Sequence, residues 1–456
     1  MRDPATHDEP LIVSVSGLRG VVGASLTPDV AVRYAGAFAA TLPPGPIVIG
    51  RDGRPSGPAL AAAIAEHLAG LGRDVVDCGV AATPTVGIVV RDRAAAGGIQ
   101  ISASHNPARY NGLKLFSGSG RVLTAAAGAD VLARYESGVV ATAAAAPGRL
   151  VAGDGTPEHV RLVAGIVDVA AIRRRRPRVW IDCGHGAGSR VALPLLEHLG
   201  CDVVVEGGTP DGLFEHEPEP TAENLAGLLP RVAASGADVG FFQDPDADRL
   251  AIAAADGTYL GEEATLALAV EGVLAKTRGS VVVNCSTSGM TAAIAARHGC
   301  ACHVSKVGEA NVVDEMLARS AVIGGEGNGG VIDPRVVLVR DSFVALALVL
   351  DRLAADPSVS VAGLAARLPA MAMRKTKVEL SPALRGPGLA AGLARLEVAF
   401  PEAVASRLDG LRLDWPGGWL LVRASNTEPI VRIVAEAADA AAVDGALSRA
   451  AAALRG

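Results

Sequence analysis

The chain has 456 residues, of which 50% are hydrophobic and 3% aromatic, and its formal net charge is -6 at pH 7. This length and apolar content suffice for several hydrophobic cores, and the length alone suggests about three domains. The negative charge and the scarcity of aromatic side chains argue against a nucleic-acid-binding protein and favour one that binds small ligands.

The first ten residues are polar and acidic, unlike a secretory signal peptide. No uncharged apolar stretch reaches the ~20 residues that a membrane-spanning helix needs. The six cysteines are scattered, and several lie in apolar runs where a free cysteine packs as a small hydrophobic residue. We therefore expect a cytoplasmic protein with neither a membrane partner nor a nucleic-acid partner.

Short runs of β-branched residues alternate along the chain with longer Ala- and Leu-rich segments of helical character. Three strand–helix–strand units are predicted, and their first strands lie at Ile47–Ile49, Val179–Asp182 and Val281–Asn284. Their helices are predicted at Gly57–Leu71, Arg190–Leu199 and Thr291–His298, and their second strands at Asp74–Asp77, Val203–Glu206 and His303–Ser305. This alternation is typical of α/β domains with largely parallel sheets.

Three breaks divide the chain into four predicted units. An Ala- and Gly-rich stretch over residues 141–155 is typical of a linker, a turn dipeptide stands at Asp256-Gly257, and the pattern changes near Leu368–Lys375. The last unit is predicted as a smaller α+β domain, with a final Ala-rich helix and strands near Leu411–Leu413, Trp419–Arg423 and Val431–Ala435. The predicted units span residues 1–145, 155–257, 258–368 and 372–456.

Each unit carries one polar cluster, and the first follows the apolar run Gly98–Ile101. Ser104 lies in its turn, with His105 next to it and Lys114 ten residues on. Serine is a weak nucleophile unless a neighbouring group activates it, and these two residues are the candidates for that role. An ordinary Ser/Asn/Pro turn remains the alternative.

The second cluster places Asp244, Asp246 and Asp248 directly after the apolar run Val239–Phe242. Carboxylates at alternate positions can converge when a cation cancels their repulsion, and oxygen ligands near phosphate favour Mg²⁺. An EF-hand is excluded because the loop lacks the sixth-position glycine and the twelfth-position glutamate. A solvated acidic turn is the alternative, but it seldom lies between two apolar strands.

The third cluster is the glycine-rich segment Gly324–Gly330, which follows the apolar run Ala321–Ile323. Its glycines allow the backbone to approach a ligand, and Glu326 and Asn328 offer the polar groups that read sugar hydroxyls. No helix start follows, so the segment is not a dinucleotide-binding fingerprint. A glycine-rich hairpin is the alternative.

The fourth cluster runs from Arg423 to Pro429, with Arg432 beyond it. Arginine binds phosphate bidentately, so two guanidinium groups with neighbouring hydroxyl and amide groups could hold a phosphate. The alternative is a polar hairpin.

These four clusters, together with Ser16–Gly20 and Gly50–Arg54, resemble the active-site loops of the α-D-phosphohexomutase family in the family's order. That family comprises phosphoglucomutase, phosphomannomutase and phosphoglucosamine mutase. The resemblance covers nearly the whole chain. It implies three similar α/β domains with mixed, largely parallel sheets and a C-terminal α+β domain, arranged as a heart-shaped molecule with a central cleft. In chain order, these would be a phosphoserine, a metal-binding, a sugar-binding and a phosphate-binding domain.

The resemblance also implies a role for individual residues. Ser104 would be the phosphorylated residue, with His105, Lys114 and Arg19 as the other catalytic groups. One Mg²⁺ per chain would be bound by Ser104, Asp244, Asp246 and Asp248. The substrate-binding residues would be Arg249, Lys306, Glu326, Asn328, Arg423, Ser425, Asn426, Thr427 and Arg432. The ligand would be a phosphosugar, with a hexose 1,6-bisphosphate as intermediate and activator, bound by a monomer or homodimer.

Some positions depart from the commonest family pattern. Ser102 stands where threonine is usual, Asn328-Gly329-Gly330 replaces a frequent Ser-Gly-His, and Ala424-Ser425-Asn426 replaces Pro-Ser-Gly. These forms are similar to the phosphoglucosamine mutase branch found in archaea and some bacteria. We therefore expect conversion of glucosamine 6-phosphate to glucosamine 1-phosphate, with phosphoglucomutase or phosphomannomutase activity as the alternative. A phosphatase or a catalytically inactive sugar-phosphate-binding protein is a more distant alternative.

Overall fold

The computed structural model describes residues 10–138, 143–379, 387–424 and 430–455. Within these ranges the chain forms four β-sheets, and helices pack against each of them. None of the described helices combines the length with the apolar character that crossing a bilayer would require.

The first sheet contains seven strands. They are β1 (Ile12–Ser14), β2 (Gly17–Val21), β3 (Ile47–Arg51), β4 (Val75–Val80), β5 (Gly97–Ile101), β6 (Tyr110–Ser117) and β7 (Leu150–Ala152). The accompanying helices are α1 (Pro28–Ala39), α2 (Gly57–Gly70), α3 (Thr83–Asp92) and α4 (Ala125–Ser137). The strand order is β1-β2-β6-β5-β3-β4-β7, in which β5, β3, β4 and β7 run parallel and the other pairings are antiparallel.

Strand β7 corrects one prediction. A linker was expected over residues 141–155, but Leu150–Ala152 pairs with β4 as the edge strand of the first sheet. All three of its residues are exposed, so no buried face marks them as a strand.

The second sheet contains β8 (Arg178–Asp182), β9 (Asp202–Glu206), β10 (Val239–Gln243) and β11 (Leu250–Ala254), with helices α5 (Thr156–Ala164), α6 (Val169–Arg175), α7 (Ser189–His198) and α8 (Leu229–Ser235). The third contains β12 (Val281–Asn284), β13 (Cys302–Ser305), β14 (Ile323–Glu326) and β15 (Gly330–Ile332). Its helices are α9 (Glu262–Leu274), α10 (Gly289–Arg297), α11 (Glu309–Arg319), α12 (Ser342–Ala355) and α13 (Val361–Ala365).

These three sheets repeat one topology. The second has the order β11-β10-β8-β9 and the third β15-β14-β12-β13, and the first contains the same arrangement as β6-β5-β3-β4. In each, three strands run parallel and a hairpin adds the antiparallel fourth. The hairpin loop therefore lies at the equivalent place in all three sheets, and it carries the first, second and third polar clusters. The prediction of three similar α/β units with mixed, largely parallel sheets is confirmed.

The fourth sheet is antiparallel throughout. Its strands are β16 (Ala372–Glu379), β17 (Val404–Ser406), β18 (Leu411–Trp415), β19 (Gly418–Ala424) and β20 (Ile430–Ala437), in the order β16-β20-β19-β18-β17. Helices α14 (Pro387–Ala399) and α15 (Ala440–Arg455) cover it, and Leu396, Leu420 and Val443 form part of a shared buried core. This arrangement is the α+β unit that the sequence predicted.

One buried core joins the three α/β units, since Val86, Phe241 and Phe343 belong to the same apolar cluster. A fully buried polar link crosses this core. His159 Nδ1 lies 2.9 Å from Thr85 Oγ1, and its Nε2 lies 2.7 Å from Asp341 Oδ2. The other carboxylate oxygen of Asp341 caps α12 by accepting from the amides of Phe343 and Val344. The link thus joins residues that belong to three different units.

Replacing Asp341 with alanine is expected to cost about 3 kcal/mol of stability, because it removes a helix cap and leaves a buried imidazole without its partner. The measurement is the midpoint of thermal or urea unfolding. The matched control is Asp356→Ala, at the opposite, exposed end of α12, which should change the midpoint little. Equal midpoints for the two variants would contradict the proposed role of the link.

Candidate active site

The loop between β5 and β6 holds Ser104 in a buried turn. Its backbone φ of +50° lies in the left-handed region that non-glycine residues rarely adopt. Its hydroxyl donates to Asp244 Oδ2 at 2.8 Å and lies 3.3 Å from His105 Nδ1. Behind it, Ser102 Oγ accepts from the Ser104 amide at 2.8 Å and donates to Asp52 Oδ2 at 2.7 Å. These bonds present the serine hydroxyl to the aspartate loop of the second unit.

Arg54 fixes the conformation of this serine loop, a role that the sequence did not indicate. The side chain is fully buried, and its Nε pairs with Asp52 at 3.0 Å. The guanidinium donates at 2.6 to 3.1 Å to four backbone carbonyls, those of Ser104, Asn106, Pro107 and Tyr110. The rigid fork of donors suits this task, which a single flexible ammonium group could not perform. In the sequence, Arg54 stands only as the last residue of Gly50–Arg54, one of the segments that carry the family resemblance.

The loop between β10 and β11 brings Asp244, Asp246 and Asp248 together. All three side chains are fully buried, and each can offer an oxygen within 4.8 Å of the others. Asp244 Oδ1 accepts from the amides of Asp248 and Arg249, each at 3.1 Å, so the loop folds around its first carboxylate. This geometry contradicts the alternative of a solvated acidic turn.

One oxygen of each of the other two carboxylates is already satisfied. Asp246 Oδ2 accepts from Thr83 Oγ1 at 2.5 Å and from Lys114 Nζ at 3.2 Å. Asp248 Oδ2 accepts from Lys114 at 2.7 Å and from Arg340 Nη2 at 2.6 Å. The Oδ1 atoms of both aspartates are buried, and no described residue donates a hydrogen bond to them. Buried carboxylate oxygens without donors fit the ligand set of a hard divalent cation.

The electrostatics of the loop point the same way. Burial and the two neighbouring carboxylates raise the pKa of Asp244 well above its usual value. Burial also acts to raise the pKa of Asp246 and Asp248, but Lys114 helps to hold both below the usual range, and Arg340 contributes most to lowering that of Asp248. A bound cation would offset the repulsion among the three carboxylates that raises the pKa of Asp244.

Two cationic side chains share the sheet face beside this loop. Arg19 on β2 lies opposite Gly112 of β6, and Lys114 is two residues farther along β6, so both point to the same face. Burial alone would lower the pKa of Lys114, but Asp246 and Asp248 raise it above its usual range. Lys114 is therefore a firmly charged ammonium group in this state.

The surroundings of His105 favour its neutral form. Its pKa is lowered well below the usual value by Arg249, by burial and by Arg19. Its Nε2 lies 3.9 Å from Glu219 Oε1, and the same carboxylate oxygen lies 3.7 Å from Arg249 Nη1. A neutral imidazole beside a serine hydroxyl can accept a proton.

The glycine-rich third cluster forms the tight hairpin between β14 and β15, and Glu326 is buried within it. Glu326 Oε1 accepts from Asn284 Nδ2 at 2.8 Å and from the Gly308 amide at 3.0 Å, and Oε2 accepts from Arg340 Nη1 at 2.8 Å. A carboxylate has about four lone-pair sites, so Glu326 can accept one further hydrogen bond. A Cβ at Gly327 would lie 2.0 Å from Glu263 Oε2, so a larger residue there would have to displace the Glu263 carboxylate.

The other two predicted sugar-site residues are more accessible. Asn328 is half-buried in the hairpin turn, and its Oδ1 accepts from the Gly330 amide at 3.2 Å. Lys306 is exposed and precedes the Gly308 amide that contacts Glu326. Each residue thus lies two positions along the chain from Glu326 or from a group that contacts it.

The fourth cluster is described only in part, because Ser425, Asn426 and Thr427 lie outside the described residues. Arg423 on β19 is in register with Arg432 on β20, so the two side chains share one face of the sheet. Arg423 Nε lies 3.4 Å from Asp409 Oδ2, which also accepts from the Val307 amide at 3.0 Å. This contact joins the fourth unit to the segment beside Lys306.

Comparisons with known proteins agree with this architecture. Profiles of the phosphoglucomutase/phosphomannomutase alpha/beta/alpha domains I, II and III match residues 11–139, 157–257 and 262–371, and the family's C-terminal domain matches residues 383–453. A phosphoglucomutase/phosphomannomutase from Thermococcus kodakarensis is 36% identical over 429 residues, which cover 92% of this chain and 93% of the relative.

A second relative carries a different name. A probable phosphoglucosamine mutase from Methanopyrus kandleri is 33% identical over 424 residues, covering 92% of this chain and 93% of its own. The crystal structure of a phosphoglucomutase/phosphomannomutase family protein from Burkholderia thailandensis matches with a TM-score of 0.84 at 27% identity, covering 97% of this chain and 98% of that chain. The chain therefore belongs to the phosphoglucomutase/phosphomannomutase family, the α-D-phosphohexomutases, and is an intramolecular phosphotransferase.

Proposed function

We propose that this mutase moves a phosphoryl group between C6 and C1 of a hexose through a phosphoserine at Ser104, with glucosamine 6-phosphate as the preferred substrate. One observation carries the proposal: the Ser104 hydroxyl lies 2.8 Å from Asp244 Oδ2, beside buried carboxylate oxygens that have no described donor. A nucleophile at a cation-ready site is the arrangement that phosphoryl transfer requires.

Asp244, Asp246 and Asp248, with an oxygen of phosphorylated Ser104, would hold one Mg²⁺ per chain, which would offset negative charge on the transferring group. The donor set supports this assignment, since the three aspartates offer carboxylate oxygens, the type of ligand that Mg²⁺ prefers.

In the first half-reaction, a free hydroxyl of the hexose monophosphate attacks the phosphorus atom on Ser104. The bond from phosphorus to Ser104 Oγ breaks, a hexose 1,6-bisphosphate forms, and a proton passes from the sugar hydroxyl to the serine oxygen. Neutral His105 and charged Lys114 are the groups that would carry this proton. After the bisphosphate turns, Ser104 takes the other phosphoryl group and the monophosphate product leaves.

The remaining predicted residues would position the sugar phosphate. We propose that Arg19 and Arg249 attract the transferring phosphoryl group, and that Lys306, Glu326 and Asn328 contact the sugar. The non-reacting phosphate would be held by Arg423, Ser425, Asn426, Thr427 and Arg432. The domain boundaries, the cytoplasmic location and the monomeric or dimeric state stay predictions.

The choice of glucosamine rests on the glycine-rich form of the hairpin after Glu326 and on the name of the relative from Methanopyrus kandleri. Phosphoglucomutase/phosphomannomutase activity is the second candidate, because the relative that is 36% identical carries that name. Sugar hydroxyls that Glu326 would read at C3 and C4 do not distinguish these substrates.

The test compares kcat/KM for glucosamine, glucose and mannose phosphates under the same bisphosphate activation. We expect the glucosamine phosphate to give the highest value. A value more than about tenfold higher for glucose or mannose phosphate, roughly 1.4 kcal/mol in the barrier, would contradict the choice of sugar but not the reaction. Release of inorganic phosphate without a sugar product would indicate a phosphatase instead.

A further inference from the structure

Arg340 lies between β15 and α12, and no role for it followed from the sequence. Its side chain is buried, and its two terminal nitrogens contact carboxylates of two different loops. Nη2 lies 2.6 Å from Asp248 Oδ2 in the aspartate loop, and Nη1 lies 2.8 Å from Glu326 Oε2 in the glycine-rich hairpin. One planar group therefore spans the cation site and the sugar site.

We propose that Arg340 is a positioning residue that fixes the distance and orientation between Asp248 and Glu326, so that the transferring phosphoryl group and the sugar ring meet in line. This inference rests on the function proposed above. The guanidinium fork is rigid, so holding one carboxylate with each arm sets their relative position. A misplacement of about 1 Å between reacting groups can lower a rate by about a hundredfold.

The contacts around Asp248 support this role. Arg340 and Lys114 both occupy Oδ2, which leaves Oδ1 without a described hydrogen-bond donor and free to bind a cation. Arg340 therefore acts together with Lys114 to determine which oxygen of Asp248 remains open. At the other arm, Asn284 and Gly308 satisfy Oε1 of Glu326, so that Arg340 alone holds Oε2 among the described contacts.

Arg340 is itself held from behind by Glu309. The Arg340 amide donates to Glu309 Oε1 at 2.8 Å, and Arg340 Nε lies 3.5 Å from Glu309 Oε2. A buried ion pair adds little net stability compared with apolar packing. Stability alone therefore does not account for a buried arginine paired with the three carboxylates of Asp248, Glu309 and Glu326. A need to hold the Asp248 and Glu326 carboxylates in a fixed relative position does account for this buried arrangement.

The test is Arg340→Lys, which keeps the charge but replaces two separate terminal nitrogens with one, so that it cannot hold the two carboxylates at the spacing set by the planar fork. We expect kcat to fall by about a hundredfold, and both the KM for the sugar phosphate and the Mg²⁺ concentration for half-maximal activity to rise at least about tenfold, a loss typical of removed supporting contacts. The matched control is Arg335→Lys in the same segment, whose partner Asp333 lies outside the site and which should match the wild type.

Two results would overturn the inference. One is an Arg340→Lys variant whose kcat, KM and Mg²⁺ requirement all stay within about threefold of the wild type, a difference of under 0.7 kcal/mol. The other is a rise in only the KM for the sugar phosphate or only the Mg²⁺ concentration for half-maximal activity, which would mean that Arg340 serves one loop alone. In both cases the wild type remains an active mutase, whereas failure of the proposed function would leave the wild type inactive as well.

A second variant decides the question if Arg340→Lys does not fold. Glu309→Gln keeps an oxygen for the Arg340 amide but removes the charge that holds the guanidinium in place. We expect the KM for the sugar phosphate and the half-maximal Mg²⁺ concentration to rise together, by less than in Arg340→Lys, with little change in the unfolding midpoint. A lower midpoint with unchanged kinetic constants would assign Glu309 and Arg340 a structural role only and overturn the proposal.

Discussion

Ser104→Ala is expected to abolish mutase turnover, with kcat lowered by at least about 10⁴-fold, because alanine has no oxygen to carry the phosphoryl group. The variant should still fold. Alanine keeps the same Cβ, so the left-handed backbone at this position is no more strained than in the wild type. The loop conformation is held by Arg54 and Ser102 rather than by the Ser104 hydroxyl.

Intact-mass measurement and a mutase assay on the same samples test this prediction. Wild-type protein incubated with a hexose bisphosphate should gain one phosphoryl group, and peptide mapping should assign it to Ser104. Ser119→Ala, in the exposed turn at the far end of β6, is the matched control and should keep both activity and phosphorylation. Full turnover in a Ser104→Ala preparation free of wild-type enzyme would refute the phosphoserine mechanism.

The sequence predicted the parts of the site that directly follow apolar strands. Val239–Gln243 and Ile323–Glu326 are buried along their whole length, so their hydrophobic runs are visible without a structure. The polar residues after them then mark the point where the chain leaves the sheet. Because the hairpin loop repeats at the same place in three sheets, reading strand ends was enough to find three of the four clusters.

Two kinds of feature were not predictable in this way. Strand β16 was missed because most of its side chains are exposed and it carries no apolar pattern; it forms a strand through its pairing with β20. Arg54 and Arg340 were given no role because their partners are distant in sequence, 52 residues away for Asn106 and 92 for Asp248. A long-range contact of a single arginine leaves no local pattern in a sequence.

The cation site gives the second large effect. Protein treated with a chelator is expected to lose at least about 10³-fold in activity, and added Mg²⁺ should restore it. Mg²⁺ should also raise the unfolding temperature, because an ion bound only by the folded state stabilises that state by about 2.7 kcal/mol at a hundred times its dissociation constant. Mg²⁺ is expected to bind here because three fully buried carboxylates crowd together, and two of them have an oxygen without a described donor.

Asp246→Asn should remove both the Mg²⁺-dependent activity and the rise in unfolding temperature with Mg²⁺. The amide oxygen can still accept from Thr83, and Lys114 keeps its contact with Asp248, so the loop should remain folded. The variant has one negative charge fewer beside the cation, however, and its Oδ1 position no longer carries a full carboxylate charge.

Asp256→Asn, in the exposed turn after β11, is the matched control and should behave as the wild type does. If Asp246→Asn kept the Mg²⁺-dependent rise in unfolding temperature, or if chelator-treated wild type turned over at its normal rate, the cation would have to lie elsewhere or be unnecessary. Loss of both responses in this variant alone would tie the metal to these aspartates independently of which sugar the enzyme prefers.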